Sequence, residues 1–357
     1  MAFIKGMDIS VQQEIEQLGA KYYNLGEEGD AVQILGDYDV NQVRLRLWNN
    51  PYDADGKPYG GGTNDLATTI EIAARAKQHG MGLFLDLHYS DFWADPKVQI
   101  KPKDWQDLSG DALEEAVYRY TYETLRELGS NGIVPDLIQI GNEITNGLLW
   151  PDGKFDNSKA MAKLLEAGIK ASRDYNPAIR IAIHLDMGGD NTLYRRWFDA
   201  IADANLDFDI IGMSYYPFWH GTLEQLVHNM NDISARYDKD ILIAETAFPF
   251  TTEQIDSEVM IFTDVHAGSV PYRIDPGGQR QFMLDLMNAI RSVDNDRGIG
   301  FFYWEPTWIN LAQARWASET GAKYLNNNDK PGNVWANLAL FDFGGNALPA
   351  LQAIKDF

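Results

Sequence analysis

The chain has 357 residues, of which 45% are hydrophobic and 23% charged, enough apolar material for a sizeable core and too much for a disordered chain. Its 30 lysines and arginines against 52 aspartates and glutamates give a formal charge of -22, a field that repels phosphate backbones and anionic bilayers. Nucleic acid and membrane are therefore not expected partners; a neutral or cationic ligand suits the charge, although solubility alone would also account for it. The absence of cysteine excludes disulfides, thiolate metal sites and cysteine nucleophiles.

No apolar run approaches the roughly 18 residues of a membrane span. The opening Met1-Ala2-Phe3-Ile4-Lys5-Gly6-Met7-Asp8 carries no signal-peptide core. A chain complete as written is expected to be cytoplasmic, and one trimmed of a signal to be secreted.

Short apolar runs recur along the chain, each followed by a polar turn and, in most cases, by a longer stretch with helical spacing. Strands are expected over 3–9 and 43–48, a helix over 66–79, a strand over 83–89 and a helix over 112–128. The alternation continues with a strand over 137–143, a helix over 158–175, strands over 181–186 and 210–216, a helix over 223–237, a strand over 241–246, a helix over 279–293 and a strand over 299–305. Gly80 and Gly129 stand where helix C-caps are expected. Eight strands alternating with helices predict an α/β fold closed as a (β/α)8 TIM barrel, with residues 1–357 forming a single domain. An open doubly wound sheet would also alternate, but no glycine-rich phosphate loop follows the first strand.

Period-two alternation gives the runs their faces. Leu83, Leu85 and Leu87 share one face for the helical layer, so Phe84, Asp86 and His88 point into the pore; Val43, Leu45 and Leu47 likewise oppose Arg44, Arg46 and Trp48. Polar groups gather at the C-terminal ends of the runs, where a barrel carries its chemistry: His88, Glu143, His184, Asp186, Tyr216, Glu245, Trp304 and Glu305. Three of these are glutamates. Cleavage of a glycosidic bond needs a protonated carboxyl to donate to the leaving oxygen and an ionised one to attack the anomeric carbon, and Glu143 and Glu245 at two strand tips can supply that pair. The alternative is that either glutamate is only the ion-pair partner of Arg44 or Arg46. An arginine beside a nucleophile also keeps it ionised, so the two readings coexist.

Seven blocks extend this pattern from the first strand to the last: Lys5-Gly6-Met7-Asp8-Ile9-Ser10, Val43-Arg44-Leu45-Arg46-Leu47-Trp48-Asn49, Leu85-Asp86-Leu87-His88-Tyr89-Ser90-Asp91-Phe92-Trp93-Ala94-Asp95-Pro96, Gln139-Ile140-Gly141-Asn142-Glu143-Ile144, Ser214-Tyr215-Tyr216-Pro217-Phe218-Trp219-His220-Gly221, Ala244-Glu245-Thr246 and Phe302-Tyr303-Trp304-Glu305-Pro306. On these residues the chain resembles the family 53 endo-β-1,4-galactanases, retaining hydrolases on (β/α)8 barrels. The resemblance implies an arabinogalactan endo-β-1,4-galactanase acting on β-1,4-galactan or galacto-oligosaccharide, with no organic cofactor and as a monomer. By the same resemblance Glu143 is the acid/base, Glu245 the nucleophile, and Asn142 a hydrogen-bond partner of the sugar at the scissile bond.

Further substrate-site candidates are Arg46 to orient Glu245, Asp86 and Glu305 at strand ends, His88 and His184 lining the subsites, and Tyr216 bonding the nucleophile with Tyr215 as its rival. Trp93, Trp219 and Trp304 are candidate sugar platforms, since aromatic faces cover the apolar side of pyranose rings, with core packing as the alternative. Two long loops, over 248–278 and 307–333, follow the last two strands. Some members of the family hold a structural calcium in this region. Asp256, Glu258, Asp264, His266 and Asp275 are the donors the first loop offers, in a spacing unlike an EF-hand. Two rival functions stay open: hydrolysis of another neutral β-1,4-glycan, a mannan or glucan, and a catalytically silent carbohydrate-binding barrel.

Overall fold

The computed structural model describes residues 2–255 and 260–357. Eight parallel strands close on themselves: β1 (Ile4–Asp8), β2 (Gln42–Leu47), β3 (Gly82–Leu87), β4 (Leu137–Ile140), β5 (Arg180–Leu185), β6 (Ile210–Ser214), β7 (Asp240–Thr246) and β8 (Gly298–Trp304). Each pairs with the next in sequence, and β8 pairs with β1 to shut the barrel. Every predicted strand forms. Most stop one or two residues before the expected end, because the last polar residues of each run leave the sheet to build the mouth.

Around the strands lie α1 (Gln12–Gln17), α2 (Ala31–Asp37), α3 (Leu66–Gln78), α4 (Gly110–Ser130), α5 (Ser158–Tyr175), α6 (Asn191–Ile201), α7 (Leu223–Tyr237), α8 (Asp264–Ala267), α9 (Pro276–Arg291), α10 (Glu319–Tyr324) and α11 (Pro349–Asp356). Their starts follow from capping chemistry. The Asp65 carboxylate accepts from the Thr68 N–H at the head of α3, and Thr222 and Gln225 form a reciprocal capping box on α7. Asp275 caps α9, where Pro276 occupies the first turn. Gly80, with φ +78°, follows α3 as expected. Gly129 does not cap α4. It is a helical residue, and the left-handed glycine after that helix is Gly132, with φ +72°. The reason for a glycine at 129 is packing against α5: a Cβ there would lie 2.0 Å from the Tyr175 hydroxyl. No helix among the described residues is long and apolar enough to cross a membrane.

The pleat sorts side chains as predicted for β2 and β3. Val43, Leu45, Leu47, Leu83, Leu85 and Leu87 face the helical layer and join the main core. The lower barrel interior is a separate apolar plug of Ile4, Phe84, Leu137, Ala182, Ile210, Leu242, Ala244, Ile299 and Phe302. Gly6 makes room for it, since a Cβ there would meet the Phe302 ring at 2.3 Å. Above the plug the interior turns polar, and there the site begins.

Candidate active site

Arg44, wholly buried on β2, organises the floor. One guanidinium nitrogen bonds Asp8 at 2.8 Å and Glu245 at 2.9 Å; the other bonds Asp86 at 2.8 Å, the Asn142 amide oxygen at 2.9 Å and Gln139 at 3.2 Å. Arg44 is therefore the arginine that orients Glu245. Arg46, the expected one, sits a pleat nearer the mouth on the side of β8, where Glu305 takes its guanidinium and the Gly61 carbonyl accepts its second nitrogen at 2.9 Å. Its guanidinium also lies 4.4 Å from the centre of the Trp93 ring.

Glu245 reaches the cleft because of a bulge. On β7, Leu242 and Ala244 both belong to the interior plug, so strict alternation would turn residue 245 outward with Ile241 and Ile243. The pairing slips instead: Met213 faces Ile243, but Ser214 faces Glu245, and β8 shows a matching slip. The extra residue rotates Glu245 inward, a common use of bulges beside active sites. There the Tyr216 hydroxyl donates to its second carboxyl oxygen at 3.1 Å. Tyr215, the rival, donates to the Gly221 carbonyl and stays in the core.

Glu143 follows β4 with φ 45° and ψ 52°, a left-handed conformation costly for a residue with a Cβ. Glu305 after β8 and Met187 after β5 share it, with φ 49° and 55°. Glu143 Oε1 lies 2.5 Å from Ser214 Oγ. The two glutamates thus occupy different fields. Burial pushes the Glu143 carboxyl well above the usual carboxylate range, and the charges of Glu245 and Asp186 push the same way. Burial also pushes Glu245 up, to about 7, against the pull of Arg44. The pair titrates in two steps, and Arg44 places the first ionisation on Glu245.

A stability consequence follows for Glu143. A carboxyl whose folded pKa is raised binds its proton more tightly when folded, so its contribution is most favourable below the ordinary value of 4.5 and is lost as pH rises toward the folded value. Glu143→Gln removes that loss. Its melting temperature relative to the parent should climb with pH above about 4.5, measured by calorimetry across the range; a difference independent of pH would contradict the shifted carboxyl.

The other sequence candidates divide by depth. Asp86, His184 and Glu305 are fully buried and bonded to other side chains. His88 is held by three groups: the Trp48 indole N–H and the Ala94 N–H approach Nδ1 at 3.1 and 3.3 Å, so the hydrogen is on Nε2, facing Asp86 at 3.1 Å. Asn142 spends one amide hydrogen on the Ala94 carbonyl at 2.9 Å, leaving the other for the cleft.

The cleft above encloses about 990 Å³. Trp93, Trp219 and Trp304 line it, as do Trp308, Trp316 and Trp335 from the stretch between β8 and α11, which carry no strand periodicity to single them out. Trp219 is 42% exposed, and Trp304 packs edge-on against Trp335 with centroids 4.4 Å apart. Asp95 and Asp186 add acid beside Glu143.

Of the calcium donors, Asp256 and Glu258 lie outside the described residues. Asp264 opens α8, His266 folds back on Thr263 in a capping box, and Asp275 caps α9 and pairs with Arg273 at 2.7 Å. Among the described residues no group of three or more His, Asp or Glu is placed to hold a metal ion.

The profile described as Glycosyl hydrolase family 53 matches residues 4–354. A solved structure described as the Ignisphaera aggregans GH53 catalytic domain superposes with a TM-score of 0.93 at 43% identity, covering 99% of this chain and 95% of that one. Another, from work on two fungal beta-1,4-galactanases, gives a TM-score of 0.82 at 32% identity and covers both chains fully. The Bacillus subtilis (strain 168) protein named Endo-beta-1,4-galactanase is 36% identical over 99% of this chain and 85% of its own length. With the barrel, the cleft and the two strand-end glutamates in place, the chain belongs to glycosyl hydrolase family 53 and is a glycoside hydrolase.

Proposed function

We propose that the protein is a retaining endo-β-1,4-galactanase that cleaves galactan or type I arabinogalactan by double displacement, with Glu143 as acid/base and Glu245 as nucleophile. The observation that carries the reading is the contrast between the two carboxyls of one cleft. Glu245 is held by a guanidinium and a phenol, the environment of an anion, whereas Glu143, half-buried, stands among other acids, the environment of a proton donor. The names of the relatives support the galactan specificity.

In the first half-reaction Glu143 gives its proton to the leaving glycosidic oxygen while Glu245 attacks the anomeric carbon. Arg44 and Tyr216 hold the attacking carboxylate in place until its charge passes into the new ester bond. In the second half Glu143, now ionised, takes a proton from water as that water attacks the same carbon on the face away from the ester, and the bond to Glu245 breaks to release its carboxylate. Two inversions leave the configuration unchanged. The acid limb of kcat/KM belongs to Glu245 and the basic limb to Glu143.

A cleft walled by tryptophans and open to solvent suits internal attack on a neutral chain, with indole faces against the sugar rings. Reducing-sugar release and product size from linear galactan, mannan and β-glucan test this. Galactan should be cleaved fastest, to mixed oligosaccharides early in the digest; preferential cleavage of another glycan, or release of galactose alone, would overturn the substrate or the endo mode.

A further inference from the structure

Two buried groups under the mouth, His184 on β5 and Ser214 on β6, have no part in the steps above. Their hydrogen bonds form a chain whose direction can be worked out from the fixed end. That end is Asn142. Its Nδ2 donates to the Ala94 carbonyl, and its Oδ1 receives the Arg44 guanidinium, a group with donors only, so the amide cannot be flipped. His184 Nδ1 lies 3.1 Å from that Oδ1, an atom that can only accept, and must therefore carry a hydrogen.

His184 is neutral, because burial and the neighbouring Arg44 charge both hold it well below the usual histidine range. Its Nε2 is then bare and accepts the Ser214 hydroxyl hydrogen at 2.9 Å. A serine has one hydrogen, so toward Glu143 Ser214 Oγ presents only lone pairs. Two unprotonated oxygens 2.5 Å apart would repel; the contact is a bond only if Glu143 Oε1 carries the hydrogen.

We propose that Ser214 and His184 are positioning residues that hold the catalytic proton on Glu143, through a one-way chain from Glu143 to Ser214 to His184 to Asn142. The proposal rests on the reading of Glu143 as acid/base. When Glu143 gives its proton to the leaving oxygen, Ser214 can turn its hydrogen to the new carboxylate only by abandoning His184 Nε2 in a buried site. Either the buried His184 Nε2 or the Glu143 oxygen facing Ser214 is left without a hydrogen, so the chain penalises the ionised state and favours recovery of the proton from water in the second half-reaction. The groups facing Glu143 work in the same sense: Glu245 from β7, Asp186 from beyond β5 and Asp95 from the loop after β3 are acids, and Tyr216 and Tyr194 also face it. His184 is faced by Arg44, Asp86, His88 and His220.

The direction of the chain fixes the sign of a measurable shift. Ser214→Ala removes an acceptor from the neutral acid, so the basic limb of kcat/KM on galactan should move down by roughly 0.5 to 1 pH unit. A serine that donated to the carboxylate would, when removed, move that limb up, and an upward or absent shift overturns the proposal. Should Ser214→Ala not fold, 15N NMR of the histidine-labelled parent enzyme decides, with His184 assigned by comparison with His184→Gln. A neutral ring with hydrogen on Nδ1 is expected at pH 7; hydrogen on Nε2, or on both nitrogens, overturns the chain. That spectrum does not depend on turnover. If Glu143→Ala keeps full activity on galactan, it is the functional reading that fails.

Discussion

Glu245→Gly should lose galactan cleavage by on the order of 10⁴-fold or more, and azide should restore turnover of an activated aryl β-galactobioside with the product in the α configuration. The vacancy left by Glu245 lies against the anomeric carbon, so an anion entering it attacks that carbon directly and inverts it once. Glu143→Ala leaves a different vacancy. Glu245 still forms its covalent intermediate when the leaving group departs without a proton, and azide then displaces the enzyme from that intermediate. Two inversions give the β-azide. Natural galactan, whose leaving oxygen needs a proton, should remain nearly uncleaved by this variant. Proton NMR coupling constants of the two azides separate the cases; swapped configurations would reverse the roles of the glutamates.

Arg44→Met should damage both fold and chemistry, because one buried guanidinium binds Asp8, Asp86 and Glu245 at 2.8 to 2.9 Å. Removing one partner of a buried ion pair costs about 3–5 kcal/mol, since the charges left behind have neither water nor counter-ion. For a chain of this length that corresponds to a drop in Tm on the order of 5 °C. The sign of the pH dependence follows from Asp86. Burial opposes its ionisation, but Arg44 and His88 hold it below the usual aspartate range, so its contribution to stability is present above the unfolded pKa and lost as pH falls through the folded one. The Tm penalty of Arg44→Met should therefore be largest at neutral pH and shrink on acidification. The nucleophile loses its cation at the same time, so the acid limb of kcat/KM should move up and kcat fall by about 10²–10³. Arg44→Lys keeps a charge but lacks the planar fork that spans three carboxylates, and should recover only part of either loss. Wild-type Tm and an unmoved acid limb would remove Arg44 from its central place.

The eight strands were legible because buried parallel strands read as short apolar runs with a polar tip, and the tips named Glu143, Glu245 and Tyr216. Alternation placed Asp86 and His88 inside correctly. It could not place Glu245, whose inward aim depends on a bulge that only the slipped register of β6, β7 and β8 reveals. Nor could it choose between Arg44 and Arg46, which share a face and differ in depth by one pleat. Ser214 opens one of the seven blocks, but no pattern in the sequence assigns it a role: a serine at a strand end gains its meaning from His184 on the neighbouring strand and Glu143 one strand further on. Trp308, Trp316 and Trp335 lie in a non-periodic loop, where only the folded chain shows which indoles turn to the cleft. Gly129 was misread for a related reason, since a glycine near a helix end marks a cap only if no other helix presses on it.

Trapping the covalent intermediate tests the central assignment most directly. A 2-deoxy-2-fluoro-β-galactobioside bearing a dinitrophenyl leaving group forms the ester readily, while its fluorine slows the hydrolysis that follows. Mass spectrometry of the intact chain, then of its peptides, should find one fluoroglycosyl group per molecule, attached to Glu245. No adduct in an enzyme that turns over the unfluorinated substrate, or an adduct on any other carboxylate, would contradict the assignment.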